Sequence, residues 1–236
     1  LVLRGLDRFA AEDQGRVNRI KGQALGIRAM VHFDILRYWA EEFDRSSTKP
    51  GIPYITEFNF EAKPSRGTIM QTYDAMEADL LMAKELLLNT DAVVNEAGRP
   101  YIDDLVVDAI LARMYLYAKE YDKAIEHASA VIDVIPLADI SEFPDIWLDM
   151  SADEVIWSVA FNLGEKRIGD NIYFVPSDRN SYRPNGTLLN SYDQNDIRFP
   201  TYFPDIEGRI VLAKYLAKGA MINRPDGVVD FKAFRT

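Results

Sequence analysis

The chain has 236 residues, of which 48% are hydrophobic and 27% charged, a balance that fits an ordinary globular protein of one large or two small domains. A net charge of -10 and a pI near 4.8 make nucleic acid and anionic bilayer surfaces poor partners. The absence of cysteine removes disulfides, thiolate metal sites and cysteine nucleophiles together. No apolar run approaches the roughly 18 residues of a membrane span. No signal peptide is visible, and the chain opens on Leu1 in helical-looking sequence, so we expect a piece of a longer protein.

From about Glu12 to Phe43, Ile20, Ala24, Ile27, Val31, Ile35 and Tyr38 recur at steps of three and four, which predicts one buried face of a long amphipathic helix. Gly22 and Gly26 weaken that helix by roughly 1 kcal/mol each against alanine. Close contact with a neighbouring helix is the expected compensation. Residues 44–67 form a long loop rich in proline, with a turn at Pro50-Gly51 and an extended look at Ile52-Pro53-Tyr54-Ile55. Its aromatics Tyr54, Phe58 and Phe60 must either pack on the helices or face a ligand. A second helix opens near Thr68 and ends near Leu88, with Ile69, Tyr73, Met76, Leu80, Ala83 and Leu87 as its stripe and Thr68 or Ser65 as its cap. Asp103, Asp104 and Asp108 read as caps and first-turn acids of the next helix rather than metal ligands. His32 and His127 lack partners at metal spacing and read as packing or surface residues.

Leu105 to Ala138 reads as helix, tight turn and helix. Leu111, Ala112, Tyr115, Tyr121, Ala124, Val131 and Pro136 stand at the spacing of a tetratricopeptide repeat, with Asp108 where a tryptophan is usual. Ala112 and Ala124 allow close helix approach, and Tyr115 and Tyr121 are expected to fill the space beside them. One such pair cannot bury its apolar face alone, so the two earlier helices are its expected stacking partners.

Beyond Pro136 the pattern changes. Glu154 to Phe161 alternates and is rich in β-formers, which predicts a strand. From Asn162 to Pro204, glycine, asparagine, proline and tyrosine dominate without a long period, and Arg209 to Leu216 suits a short strand or helix. Trp39, Trp147 and Trp157 read as core residues from their apolar neighbourhoods. The fold class is therefore mainly α: a tetratricopeptide-like helical-hairpin scaffold with an irregular, loop-rich region containing short strands. Residues 1–140 form the helical region, and 141–236 an irregular aromatic-rich region expected to pack on the helices as one domain.

Four local patterns, in order, resemble the SusD/RagB family of outer-membrane nutrient-binding lipoproteins. They are Gln23-Ala24-Leu25-Gly26-Ile27-Arg28-Ala29-Met30-Val31-His32-Phe33-Asp34; Ser65-Arg66-x-Thr68-Ile69 followed by Tyr73, Asp79-Leu80 and Ala83; the Leu105–Ala138 repeat after Gly98-Arg99; and Glu154-Val155-Ile156-Trp157 with Asp196-x-Arg198 further on. The resemblance implies a lid role over a SusC-like TonB-dependent transporter at the outer membrane, delivering glycans or other nutrient oligomers. It also implies a lipid anchor outside this chain, a surface-exposed lipoprotein and a continuation into further helices, so the chain is expected to lack both ends of the family pattern.

No Gly-rich phosphate loop, HExxH or GxSxG motif is present. Acid pairs such as Asp145 with Asp149 and Asp153 with Glu154 are expected by chance among 37 acids. Asp193 to Asp196 reads as a turn rather than a calcium loop. We therefore expect no enzyme, no cofactor and no metal. Sugars present flat apolar faces ringed by hydroxyls, so a glycan binder needs aromatic rings flanked by polar donors and acceptors. Two stretches have that composition, and their candidate ligand-binding residues are Tyr54, Phe58, Asn59, Tyr173, Arg179, Tyr182, Arg183 and Tyr192. The alternative is a tetratricopeptide-type scaffold that grips a protein partner and binds no small ligand.

Overall fold

The computed structural model describes residues 2–88, 99–147, 151–159, 173–174, 179–180, 182–193, 195–206 and 208–213, and the chain divides into two units after Val134. The described residues are mostly helical. In the first unit, α1 (Val2–Gly5) and a short 3-10 turn lead to α2 (Gln14–Trp39), followed by α3 (Ile69–Leu87), α4 (Asp104–Ala118) and α5 (Tyr121–Ile132). α2 packs on α3, α3 on α4 and α4 on α5, so the repeat α4–α5 gains its stacking partner through α3.

Local chemistry starts each of the first three long helices. Asp13 caps α2 by accepting the Arg16 N–H at 2.8 Å, and Asp103 caps α4 by accepting the Val106 N–H at 2.9 Å. Thr68 and Gln71 form a reciprocal capping box at α3. The stripe predicted for α3 is buried throughout, from Ile69 and Tyr73 to Ala83 and Leu87. Lys119, in the left-handed conformation at φ 64°, turns the chain from α4 into α5.

The face of α2 is the reverse of the predicted one. Val17, Gly22, Leu25, Gly26, Ala29, His32, Phe33 and Leu36 are buried, whereas Ile27, Val31, Ile35 and Tyr38 are exposed. The reason is backbone approach. A Cβ on Gly22 would lie 2.6 Å from Leu87 Cγ, and one on Gly26 would touch Ile102 at 3.4 Å. The small-residue side meets its neighbours more closely than the branched side could. Trp39 follows the exposed side and is 67% exposed, not core. Tyr121 is also exposed rather than filling the hairpin, while Tyr115 is buried.

The loop at 44–67 is held to the helices by backbone contacts. Pro50 bridges Thr68, and the Arg66 guanidinium donates to the carbonyls of Gly51 at 2.6 Å and Pro50 at 3.0 Å. A Cβ at Gly51 would fall 2.3 Å from Thr72 Oγ1, so glycine is required where the loop crosses α3.

Charged side chains tie the helices together. Asp108 is buried, not a cap; its Oδ1 accepts from Lys84 of α3 at 2.7 Å and from His127 Nδ1 of α5 at 2.6 Å. Arg45 joins Glu77 of α3, Asp74 at 2.7 Å and Glu120 at 3.1 Å. Bonding to Arg45, with help from Tyr115 and Lys123, pulls the Glu77 carboxyl down to about 2 from 4.5. A lowered folded-state value stabilises the fold above the unfolded value and is lost as pH falls through the folded one. The stability difference between wild type and Glu77→Gln is therefore expected to be full at pH 7 and to shrink from pH 4.5 towards 2. Urea unfolding at a series of pH values measures it; a pH-independent difference would rule out the charge as its source.

The second unit carries α6 (Phe143–Trp147), α7 (Gly186–Asn190) and α8 (Arg198–Tyr202). It also holds two short antiparallel ladders, β1 (Tyr173–Phe174) with β2 (Arg179–Asn180) and β3 (Asp205–Ile206) with β4 (Arg209–Ile210). The strand predicted from Glu154 is absent among its described residues 154–159, apart from an isolated bridge at Trp157. Glu154 sits at φ 61°, and its carboxylate accepts the Ala138 N–H at 2.8 Å, so the β-formers begin in a turn. Ala160 and Phe161 lie outside the described residues. Trp147 and Trp157 are half-buried.

Candidate functional site

In the second unit, an aromatic cluster builds the wall of a cleft. Tyr192 meets Phe203 edge-on at 5.5 Å and Phe199 at 6.0 Å, and Trp147 meets Tyr202 edge-on at 4.9 Å. Two backbone bonds fold the following segment back on α8: Ala213 N–H to the Tyr202 carbonyl at 2.8 Å, and Val211 N–H to the Pro204 carbonyl at 3.1 Å. Gly208, at φ 78°, makes the intervening hairpin turn. Asn185 caps α7 by accepting the Leu188 N–H at 2.8 Å, which sets the opposite side.

The cleft measures about 400 Å³ and is lined by Tyr182, Arg183, Pro184, Leu188, Tyr192, Tyr202, Phe203 and Leu212. Phe203 is 5% exposed and forms a floor, whereas Tyr182 is 63% exposed and stands at the rim. These lining residues include no carboxylate and no histidine, and Arg183 is their one charge. Such a surface can stack a flat ligand face and offer polar groups at its edge.

Three of the candidate residues, Tyr182, Arg183 and Tyr192, are brought together here. Tyr173 and Arg179 fall in the β1–β2 ladder, and their side chains lie outside the described set. Tyr54, Phe58 and Asn59 belong to the first unit. Tyr54 is an internal tie: its ring lies 4.3 Å from His32, and its hydroxyl donates to Asp79. Asp79 is also gripped by both arms of Arg28 at 2.6 Å. His32 donates Nδ1–H to the Arg28 carbonyl at 2.7 Å and accepts the Ile55 N–H through Nε2 at 2.9 Å, which defines its tautomer. Phe58 is 72% exposed, and Asn59 shapes the loop by accepting the Glu61 N–H at 3.0 Å. Sequence reading did not single out Tyr202, Phe203, Pro184, Leu188 or Leu212 as lining; the Tyr202-Phe203-Pro204 run was the available signal.

No group of three or more metal-ligating side chains is found among the described residues, and no described helix is long and apolar enough to cross a membrane. Asp193 and Asp196 form a turn, with the Asp196 N–H on the Asp193 carbonyl at 3.1 Å and the Asp196 carboxylate bound by Arg198.

The first unit, with its stacked helical hairpins, and the irregular second unit define a tetratricopeptide-like helical protein with an aromatic cleft. Residues 1–116 match a SusD-like family described as starch-binding and associating with the outer membrane. A SusD superfamily protein from Bacteroides thetaiotaomicron has the same fold, with a TM-score of 0.72 at 21% identity over 98% of this chain and 54% of that one. A putative sugar binding protein from Bacteroides vulgatus gives 0.71 at 23% identity over 98% and 53%. Surface glycan-binding protein A from Bacteroides uniformis gives 0.69 at 17% identity over 98% and 54%. The chain thus spans about half the length of these solved structures. No curated protein sequence matches. Residues 1–116 of the chain are thus similar to a SusD-like family, and the fold over nearly the whole chain is similar to that of SusD superfamily structures.

Proposed function

We propose that this protein is a non-catalytic binder of glycans or related nutrient oligomers at the outer-membrane surface, delivering them to a SusC-like TonB-dependent transporter. The observation that carries the reading is the cleft of exposed and buried rings, Tyr182, Tyr192, Tyr202 and Phe203, with no carboxylate among its described lining residues. The similarity of residues 1–116 to a SusD-like family supports a carbohydrate role and a place at the outer membrane. The lipid anchor and the transporter rest on the family resemblance. The described part of the second unit, with only short helices and two-residue ladders around an aromatic cluster, favours this reading over a protein-gripping scaffold, which would continue as helical repeats.

Tyr182→Ala tests the site. Its ring stands at the rim, so its loss is expected to weaken binding about tenfold, the order of one stacking contact. The melting temperature is expected to stay nearly unchanged, because 63% of the residue is already in solvent. Intrinsic fluorescence titration with a panel of soluble neutral and acidic glycans, beside thermal melts, reads both. No response to any glycan, or a large stability loss in Tyr182→Ala, would overturn the proposal.

A further inference from the structure

Arg183 differs from the arginines that tie the fold together. Arg28 is clamped by Asp79, Arg45 by three carboxylates and Arg198 by Asp196. Arg183 is exposed at the mouth of the aromatic cleft and has no ion pair or hydrogen bond among the described residues. The acids nearest in sequence on the far side of α7 are otherwise engaged. Asp193 accepts the Asn195 N–H at 2.8 Å, and Asp196 is held by Arg198. An unneutralised guanidinium beside stacking rings, in a chain of net charge -10, is a positive point in a negative field.

From this we infer that the cleft selects sugars bearing a carboxylate, that is, oligomers containing uronic acid residues. The inference rests on the glycan-binding reading above and narrows it to a ligand class. A pyranuronate carries its carboxylate at the edge of the ring, beside the flat face that stacks on an aromatic. Tyr182 and Arg183 are consecutive and both line the cleft, so a ring on the tyrosine places its edge group within reach of the guanidinium. The guanidinium fork matches a carboxylate with two parallel hydrogen bonds. A neutral hexose offers a hydroxymethyl there, which makes one weaker bond. The overall negative charge disfavours dense polyanions, so the fitting ligand carries isolated carboxylates on a largely neutral chain.

The test uses uronate-containing oligosaccharides of glucuronoxylan, galacturonan and mannuronan type, each beside its carboxyl-reduced counterpart. Reduction turns the carboxylate into a hydroxymethyl and leaves the backbone intact. Calorimetric titration of the chain is expected to show at least one acidic oligomer binding roughly ten- to a hundredfold more tightly than its reduced twin. Arg183→Gln is expected to remove that preference, weakening the acidic oligomer far more than its reduced twin, while Tyr182→Ala weakens both. Equal affinity for the twins in wild type, or a preference that survives Arg183→Gln, would overturn the inference. If reduced oligomers bind through Tyr182 without preference, the glycan-binding reading stands and the selectivity falls. If no oligomer of either kind binds, both fall. Preference for a sulfated oligomer over every uronate would reject the carboxylate in favour of another anion.

Discussion

Leu36→Ala is expected to lower the free energy of unfolding by about 3 kcal/mol, whereas Val31→Ala on the same helix should change it by less than about 0.5 kcal/mol. Leu36 is 0% exposed, so its truncation removes buried methyl groups and leaves a cavity that close-packed neighbours refill only in part. Val31 is 45% exposed, and replacing it with alanine in a helix recovers some propensity. Urea unfolding of the two variants measures the contrast. Equal losses, or a larger loss at Val31, would show that the outer face of α2 is the buried one.

Asp108→Ala is expected to cost about 3 kcal/mol, the order of breaking a buried ion pair by removing one partner. The carboxylate is 3% exposed and joins α3 to α5 through Lys84 and His127. Its removal leaves the ammonium of Lys84 facing a site built for an anion and frees His127, which stacks on Tyr115 at 5.4 Å. Asp108→Asn keeps an acceptor for both donors and should cost clearly less. The order wild type, Asn, Ala in urea midpoints is the expected result; an alanine variant as stable as wild type would show that the three groups contribute no net linkage.

These two sites mark where sequence reading succeeded and where it stopped. The stripe of α3 was legible because that helix carries a single apolar face, and each of its six predicted positions, Ile69 through Leu87, is buried. On α2 two faces compete. Ile20, Ala24, Ile27, Val31, Ile35 and Tyr38 outrank Gly22, Gly26, Ala29, Phe33 and Leu36 in hydrophobicity, yet the second set is the one inside. Periodicity ranks faces by side-chain apolarity and does not register how near a neighbouring backbone comes. The glycines carried the missing information, since their cost in a helix called for close contact on their own side. Asp108 was misread for a related reason: a first-turn acid looks like a capping partner until Lys84 and His127, 24 and 19 positions away, converge on it.

The composition of the cleft was partly legible as well. Tyrosines and arginine in a polar, unperiodic stretch pointed to Tyr182, Arg183 and Tyr192, but the same reasoning chose Tyr54. Tyr54 instead ties the loop to His32 and Asp79. An aromatic residue in a loop has the same sequence signature whether it anchors or protrudes. The difference depends on which side chains wait beneath it.

By itself, the sequence determined the helical class, the stripe of α3 and the α4–α5 hairpin, and narrowed the caps to Thr68 or Ser65 and to Asp103 or Asp104, because each depends on contacts within a few residues along the chain. Its lack of cysteine also leaves no thiol chemistry to these 236 residues. Tertiary structure decided which side of α2 is buried, that Asp108 is a linchpin of three helices, and which rings gather into a cleft. Those outcomes depend on distances between segments remote in sequence, and local propensity does not encode them.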